Sequence, residues 1–113
     1  DADTQKLFLL ESLQDVTAAE AEVDAMMTAW HAGDMAAIAD QQAKMRDEAP
    51  HLYDALFTQR NRNWVPQIIE LTKQQQNYLV IVGAGHLAGD DSVLEMLKAK
   101  GISVRQLSDT TAD

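Results

Sequence analysis

The sequence predicts a chain of α+β or α/β class, with a mostly helical N-terminal segment followed by a C-terminal parallel βαβ unit. Three observations predict it. Apolar residues recur at three- and four-residue intervals through the first half, the period of amphipathic helices. At Tyr78-Leu79-Val80-Ile81-Val82 the pattern becomes a continuous apolar, β-branched run, as in a strand covered on both faces. Beyond a glycine-rich turn and a short helical stripe, Ile102-Ser103-Val104-Arg105-Gln106-Leu107 alternates as a second strand would. Strand, crossover helix and strand form a right-handed unit by default.

Taken in order, a short helix is predicted around Gln5 to Leu13. A second follows from about Thr17, its stripe marked by Val16, Val23, Met26, Met27 and Trp30. Gly33 stops it, and Asp34 is the N-cap of the next. That helix carries Met35, Ile38, Met45, Ala49, Leu52 and Leu56, with a break or new first turn at Pro50. Asn63 is predicted to cap a helix bearing Trp64, Ile68, Ile69 and Leu71, with Pro66 in its first turn, closed by the polar run Lys73 to Asn77. After the first strand, Asp90 or Asp91 caps a helix with Val93, Leu94 and Leu97 inward, and Gly101 ends it. A two-strand sheet buried on both faces lacks neighbours, since the upstream chain offers only a weak strand at Leu7 to Leu10.

Composition narrows the function classes. The chain has 113 residues, 46% hydrophobic and 24% charged, which suits one folded unit and excludes a disordered one. Its organisation reads as a single partial domain over 1-113: an acidic helical segment 1-59, a helix 60-77, the βαβ unit 78-107 and a tail 108-113. Cysteine is absent, so neither a disulfide framework nor a thiolate zinc site can form. A net charge of -9 opposes binding to nucleic acid and to anionic membrane surfaces. The excess is local: residues 1-59 hold 12 acids and 3 bases, whereas 60-113 hold 6 of each. No apolar run approaches the ~20 residues that span a bilayer. Asp1-Ala2-Asp3-Thr4 is neither a methionine start nor a signal peptide, which predicts a processed or truncated chain.

Two constellations can carry chemistry. Gly83-x-Gly85-x-x-Ala88 satisfies the dinucleotide fingerprint formally, with Asp109 about twenty residues on as the ribose acid. Against it stand a helix start delayed to Asp90-Asp91, two carboxylates where phosphate would sit, and too few strands. The same turn contains Gly83-x-x-His86, which places an imidazole at a strand's carboxyl end, where it can hold a metal or move a proton. A lone histidine bonded within its loop is the plainer reading. His31 and His51 have no metal-ligand spacing to His86 and read as surface or packing residues. The second constellation is Arg60-Asn61-Arg62-Asn63-Trp64, either a helix junction or a pair, Arg60 and Asn61, lining one pocket with His86. Spacing alone leaves both open.

The blocks Arg60-Asn61-x-x-Trp64, Ile68-Ile69, Val80-x-Val82-Gly83-Ala84-Gly85-His86-Leu87-x-Gly89-Asp90 and Leu94-x-x-Leu97-x-x-x-Gly101-x-x-Val104 resemble the C-terminal part of the TraB/GumN family, which includes the Tiki metalloproteases. Ala29-Trp30-x-x-Gly33-Asp34 and Pro50-x-Leu52-Tyr53 resemble its helical middle segment. The resemblance implies a larger α/β fold of the erythromycin-esterase and ChaN type. For the Tiki branch it implies a metal-dependent peptidase built on two Gly-x-x-His motifs from opposite halves. His86 corresponds to the second and is the implied ligand of a divalent ion such as Mn, Co or Zn. No other histidine here follows a glycine by three positions. Arg60 and Asn61 match the family's Arg-Asn pair, with Gln59 where an acid is common, and Gly83, Gly85 and Gly89 shape the turn.

On this reading the chain is the C-terminal half of a family domain and is not catalytic alone. Its partners would be a peptide or protein substrate and either a second copy, through the exposed edge of the Tyr78 strand, or the missing N-terminal half. Relatives of this type are often exported, periplasmic or lipid-anchored. The rival expectation is a non-enzymatic helical interaction module, suggested by the acidic face and by Met26, Met27, Met35, Met45 and Met96, although stripe methionines more often pack in cores.

Overall fold

A computed structural model describes residues 1–107. The 108-113 tail, with the Asp109 that the dinucleotide fingerprint needs, lies outside the described residues.

The first two predicted helices are one. Helix α1 (Ala2–Ala32) runs unbroken for 31 residues, because no glycine or proline interrupts Leu13 to Thr17 and the Thr17 hydroxyl donates to the Leu13 carbonyl at 3.0 Å. Asp1 caps its start by accepting from the Asp3 N–H at 2.8 Å. Gly33 closes it in the left-handed conformation, at φ 68°, which lets the Asp34 N–H reach the Ala29 carbonyl. Asp34 then caps α2 (Met35–Glu48) by accepting from the Ala37 N–H at 3.0 Å.

Pro50 opens the next helix at its first position, where its missing N–H costs nothing. From there α3 (Pro50–Tyr53), a π-helical turn (Asp54–Thr58) and α4 (Gln59–Thr72) form one continuous rod. The predicted start at Asn63 is therefore corrected: Asn63 is mid-helix and Pro66 lies inside α4. Pro66 has no N–H to give the Arg62 carbonyl, a local defect offset by the packing of Val65 on Val93 and Leu97 of α5, with Trp64, Ile68 and Ile69 against them. Helix α5 (Val93–Ala99) is capped by Ser92, which accepts from the Glu95 N–H at 3.1 Å, in place of Asp90 or Asp91. Gly101, at φ 84°, ends it as predicted.

The β half of the predicted fold class is overturned. Of the described residues 74% are helical, and among them neither Tyr78–Val82 nor Ile102–Leu107 is a strand. No backbone hydrogen bond joins the two segments. A parallel βαβ unit and an α/β fold are thus not seen. An apolar, β-branched run becomes a strand only when a neighbour takes its N–H and C=O groups, and no described segment does so here. Leu79 and Ile81 stand 85% and 83% exposed.

Two small apolar clusters hold the molecule together. Ala29 of α1, Ile38 of α2 and Ala88 form one, with Met26 and Met35 against it. Val65 of α4 and Val93 and Leu97 of α5 form the other, flanked by Trp64, Ile68, Leu87, Ile102 and Val104. The loop between Gly83 and Ser92 bridges them. The remainder of α1 projects from this body, giving extents of 69 × 34 × 19 Å.

Candidate functional site

Residues 83-87 make a tight turn: the His86 N–H donates to the Gly83 carbonyl at 3.0 Å within a 3-10 turn (Ala84–Leu87). The turn is clamped between elements. From α2, the Gln42 amide donates to the Gly85 carbonyl. A Cβ on Gly85 would come within 2.6 Å of the Gln42 nitrogen and 2.8 Å of the Phe57 ring, so any larger residue would have to displace the Gln42 amide and the Phe57 ring. His86 is driven inward and is 8% exposed.

Asn61, 1% exposed on α4, fixes what the imidazole can do. Its amide nitrogen donates to the Asp91 carbonyl at 2.8 Å, so its oxygen is the group that faces His86 Nδ1, at 2.7 Å. An amide oxygen only accepts. His86 must therefore carry its proton on Nδ1 and present the lone pair of Nε2. Among the described residues Nε2 has no hydrogen-bond partner, and His86 borders a cavity of about 500 Å³. Burial lowers the His86 pKa from 6.5, and the nearby Arg60 guanidinium lowers it further. Both effects favour the neutral ring at pH 7.

The imidazole is the centre of an aromatic cluster whose rings are tilted against it. The Phe57 ring lies 5.0 Å from it on one side and the Trp64 ring 4.6 Å on another. Tyr53 continues from Phe57 at 5.4 Å. A guanidinium closes each end, Arg60 5.0 Å from the Trp64 ring and Arg46 5.8 Å from the Tyr53 ring. Arg46 also pairs with Asp91 at 3.2 Å, so the loop that orients Asn61 is held from α2 as well. The π-helical turn matters here, since it carries Phe57 and leads directly into Arg60 and Asn61.

The cavity joins the two sequence constellations. Arg60, Trp64, Ile68 and Leu71 of α4 face Val80, Val82, Gly83 and His86 across it. Arg60 pairs with no carboxylate among the described residues. Gly89 is elsewhere: at φ 84° it turns the chain toward α5, beside Gln42 and Ala39. Gln42 and Phe57 are the members that sequence reading missed. Gln42 does leave a signal, because it interrupts the stripe Met35, Ile38, Met45 at an apolar position. The dinucleotide reading gains no support, since a seven-residue α5 begins well beyond the glycines and Ser92 already occupies its first-turn donor.

A family model described as TraB/PrgY/gumN matches residues 1–106. The chain belongs to the TraB/PrgY/gumN family. A relative described as "Metalloprotease TIKI homolog", from Amphimedon queenslandica, is 43% identical over 61 residues. That alignment covers 52% of this chain and 12% of the relative, so the chain spans only a small part of the protein it matches. No solved structure matches.

A metal implied by such a relative can be tested against these TraB/PrgY/gumN residues. His86 fits the role of one ligand: burial and Arg60 favour its neutral form, its Nε2 has no hydrogen-bond partner among the described residues, and its Nδ1–H is held by an outer hydrogen bond, as metal-bound histidines require. A complete ligand set is a different matter. Among the described residues no three His, Asp or Glu side chains are grouped to hold an ion.

Proposed function

We propose that this chain is the C-terminal half of a TraB/GumN-type domain and supplies one side of a metal-dependent, peptidase-like hydrolase site. The observation that carries the reading is the His86–Asn61 hydrogen bond, which leaves Nε2 unprotonated on an imidazole that lines a cavity together with Arg60. The resemblance to a metalloprotease homologue supports the choice of chemistry. His86 would be one ligand, and the others would come from residues beyond these 113. A divalent ion held there would supply Lewis-acid chemistry.

The chain's own residues do the rest. Asn61 holds the Nδ1 proton and fixes the ring plane, while Phe57 and Trp64 pack against the ring and help bury it. Arg60, resting on Trp64 without a carboxylate partner, binds a substrate carboxylate or the developing oxyanion. The apolar wall of Ile68, Leu71 and Val80 accepts an apolar side chain. The chain by itself is not catalytic.

The test uses the full-length protein, a peptide library and added Mn²⁺ or Co²⁺. Cleavage that disappears in His86→Ala is the expected result. Full-length protein that cleaves no peptide under these conditions, or a His86→Ala variant that cleaves undiminished, would overturn the proposal.

A further inference from the structure

The projecting part of α1 carries a pattern that the hydrolase reading does not use. Leu9, Leu13, Val16, Glu20, Val23, Met27 and Trp30 follow one another at alternating spacings of four and three, the a/d seam of a coiled coil sustained for three heptads. Every apolar member is between 50% and 61% exposed. The face that packs on the body is a different one. Glu22 pairs with Lys44 of α2, and Met26 and Ala29 meet Ile38. The seam lies one residue further round, about 100° away.

Charge decides what can cover it. Helix α1 holds six carboxylates against Lys6 as its one lysine or arginine, and by heptad position Glu20 lies in the seam and Asp24 beside it, whereas Glu11, Asp15 and Glu22 lie off it, Glu22 already paired with Lys44. Glu20 sits in the middle of the seam. In a parallel pair of α1 helices the two Glu20 carboxylates would face each other; in an antiparallel pair each would press on a valine. Either arrangement buries uncompensated charge. A partner helix with a cation at that layer satisfies it, and single polar seam positions are how coiled coils choose partner and register.

We propose that the α1 seam docks an amphipathic helix with apolar a and d positions, a cation opposite Glu20 and a lysine or arginine beside Asp24. The probe is a synthetic peptide of about four heptads, with leucine at a and d, one lysine at the layer facing Glu20 and lysine at e and g. A companion peptide has glutamate in place of each lysine. Fluorescence anisotropy against the full chain should show saturable binding of the lysine peptide, at least about tenfold tighter than the glutamate peptide. The double variant Val16→Glu, Met27→Glu should weaken it at least about tenfold, with far-UV circular dichroism confirming helix content. Glu20→Lys, a surface change with little effect on folding, should shift preference toward the glutamate peptide. Equal binding of both peptides, or a lysine peptide indifferent to the double variant, would overturn the proposal. So would self-association of the unmixed chain that the double variant abolishes, because the occupant would then be a second copy.

Discussion

Removing the Asn61 amide strips hydrogen bonds from two groups at once, the buried His86 Nδ1–H and the partly buried Asp91 carbonyl. Asn61→Ala should therefore cost about 2–3 kcal/mol in urea unfolding, the range for buried polar groups left unpaired. His86 adds a pH dependence. Its folded pKa is below 6.5 because burial, and then Arg60, disfavour the charged ring. Below pH 6.5 the unfolded chain binds the proton more readily than the folded one. The associated stability is complete above that pH and is lost as pH falls toward the folded pKa. Unfolding free energy measured at pH 7.5 and 5.0 should fall more for the parent chain than for His86→Gln. An equal fall would remove His86 as its source. The histidine and the Arg60-Asn61 pair were legible in the sequence because they sit in compact motifs. Their tautomeric relation was not, since it depends on a carbonyl thirty positions away, that of Asp91.

At the scale of elements, the helices were legible wherever a cap or breaker was local. Gly33, Asp34, Pro50 and Gly101 all act where their chemistry places them. The errors have physical causes. A helix start was assigned to Asn63 because asparagine caps well and proline follows, yet tertiary packing of α4 on α5 carries the helix through both. Carboxylates at 90 and 91 masked Ser92, whose buried hydroxyl makes the actual cap. Ser92→Ala should accordingly lower stability by about 1 kcal/mol, read as a shift in the urea midpoint at unchanged slope; no shift would mean that the cap does not contribute. The strands failed for a different reason. Side-chain pattern reports what a segment could bury, whereas strand formation needs a hydrogen-bonding neighbour, and periodicity carries no information about one.

Across the whole molecule, two small apolar clusters and a clamped loop bring the Arg60-Asn61 pair and the Gly-x-x-His turn to one cavity, while α1 extends outward with an uncovered seam. The acidity noticed in residues 1-59 is thereby separated from the site, whose own charge is the Arg60 guanidinium. Everything proposed for the cavity depends on which nitrogen of His86 is free. Long-range ¹H–¹⁵N correlation NMR of the imidazole in the metal-free chain at pH 7.5 measures this directly. The hydrogen bond to Asn61 predicts the Nδ1–H form, with the Nε2 resonance at the position of an unprotonated ring nitrogen. A resonance pattern showing the proton on Nε2 would contradict the account, because Nε2 could then neither hold a metal nor accept a proton.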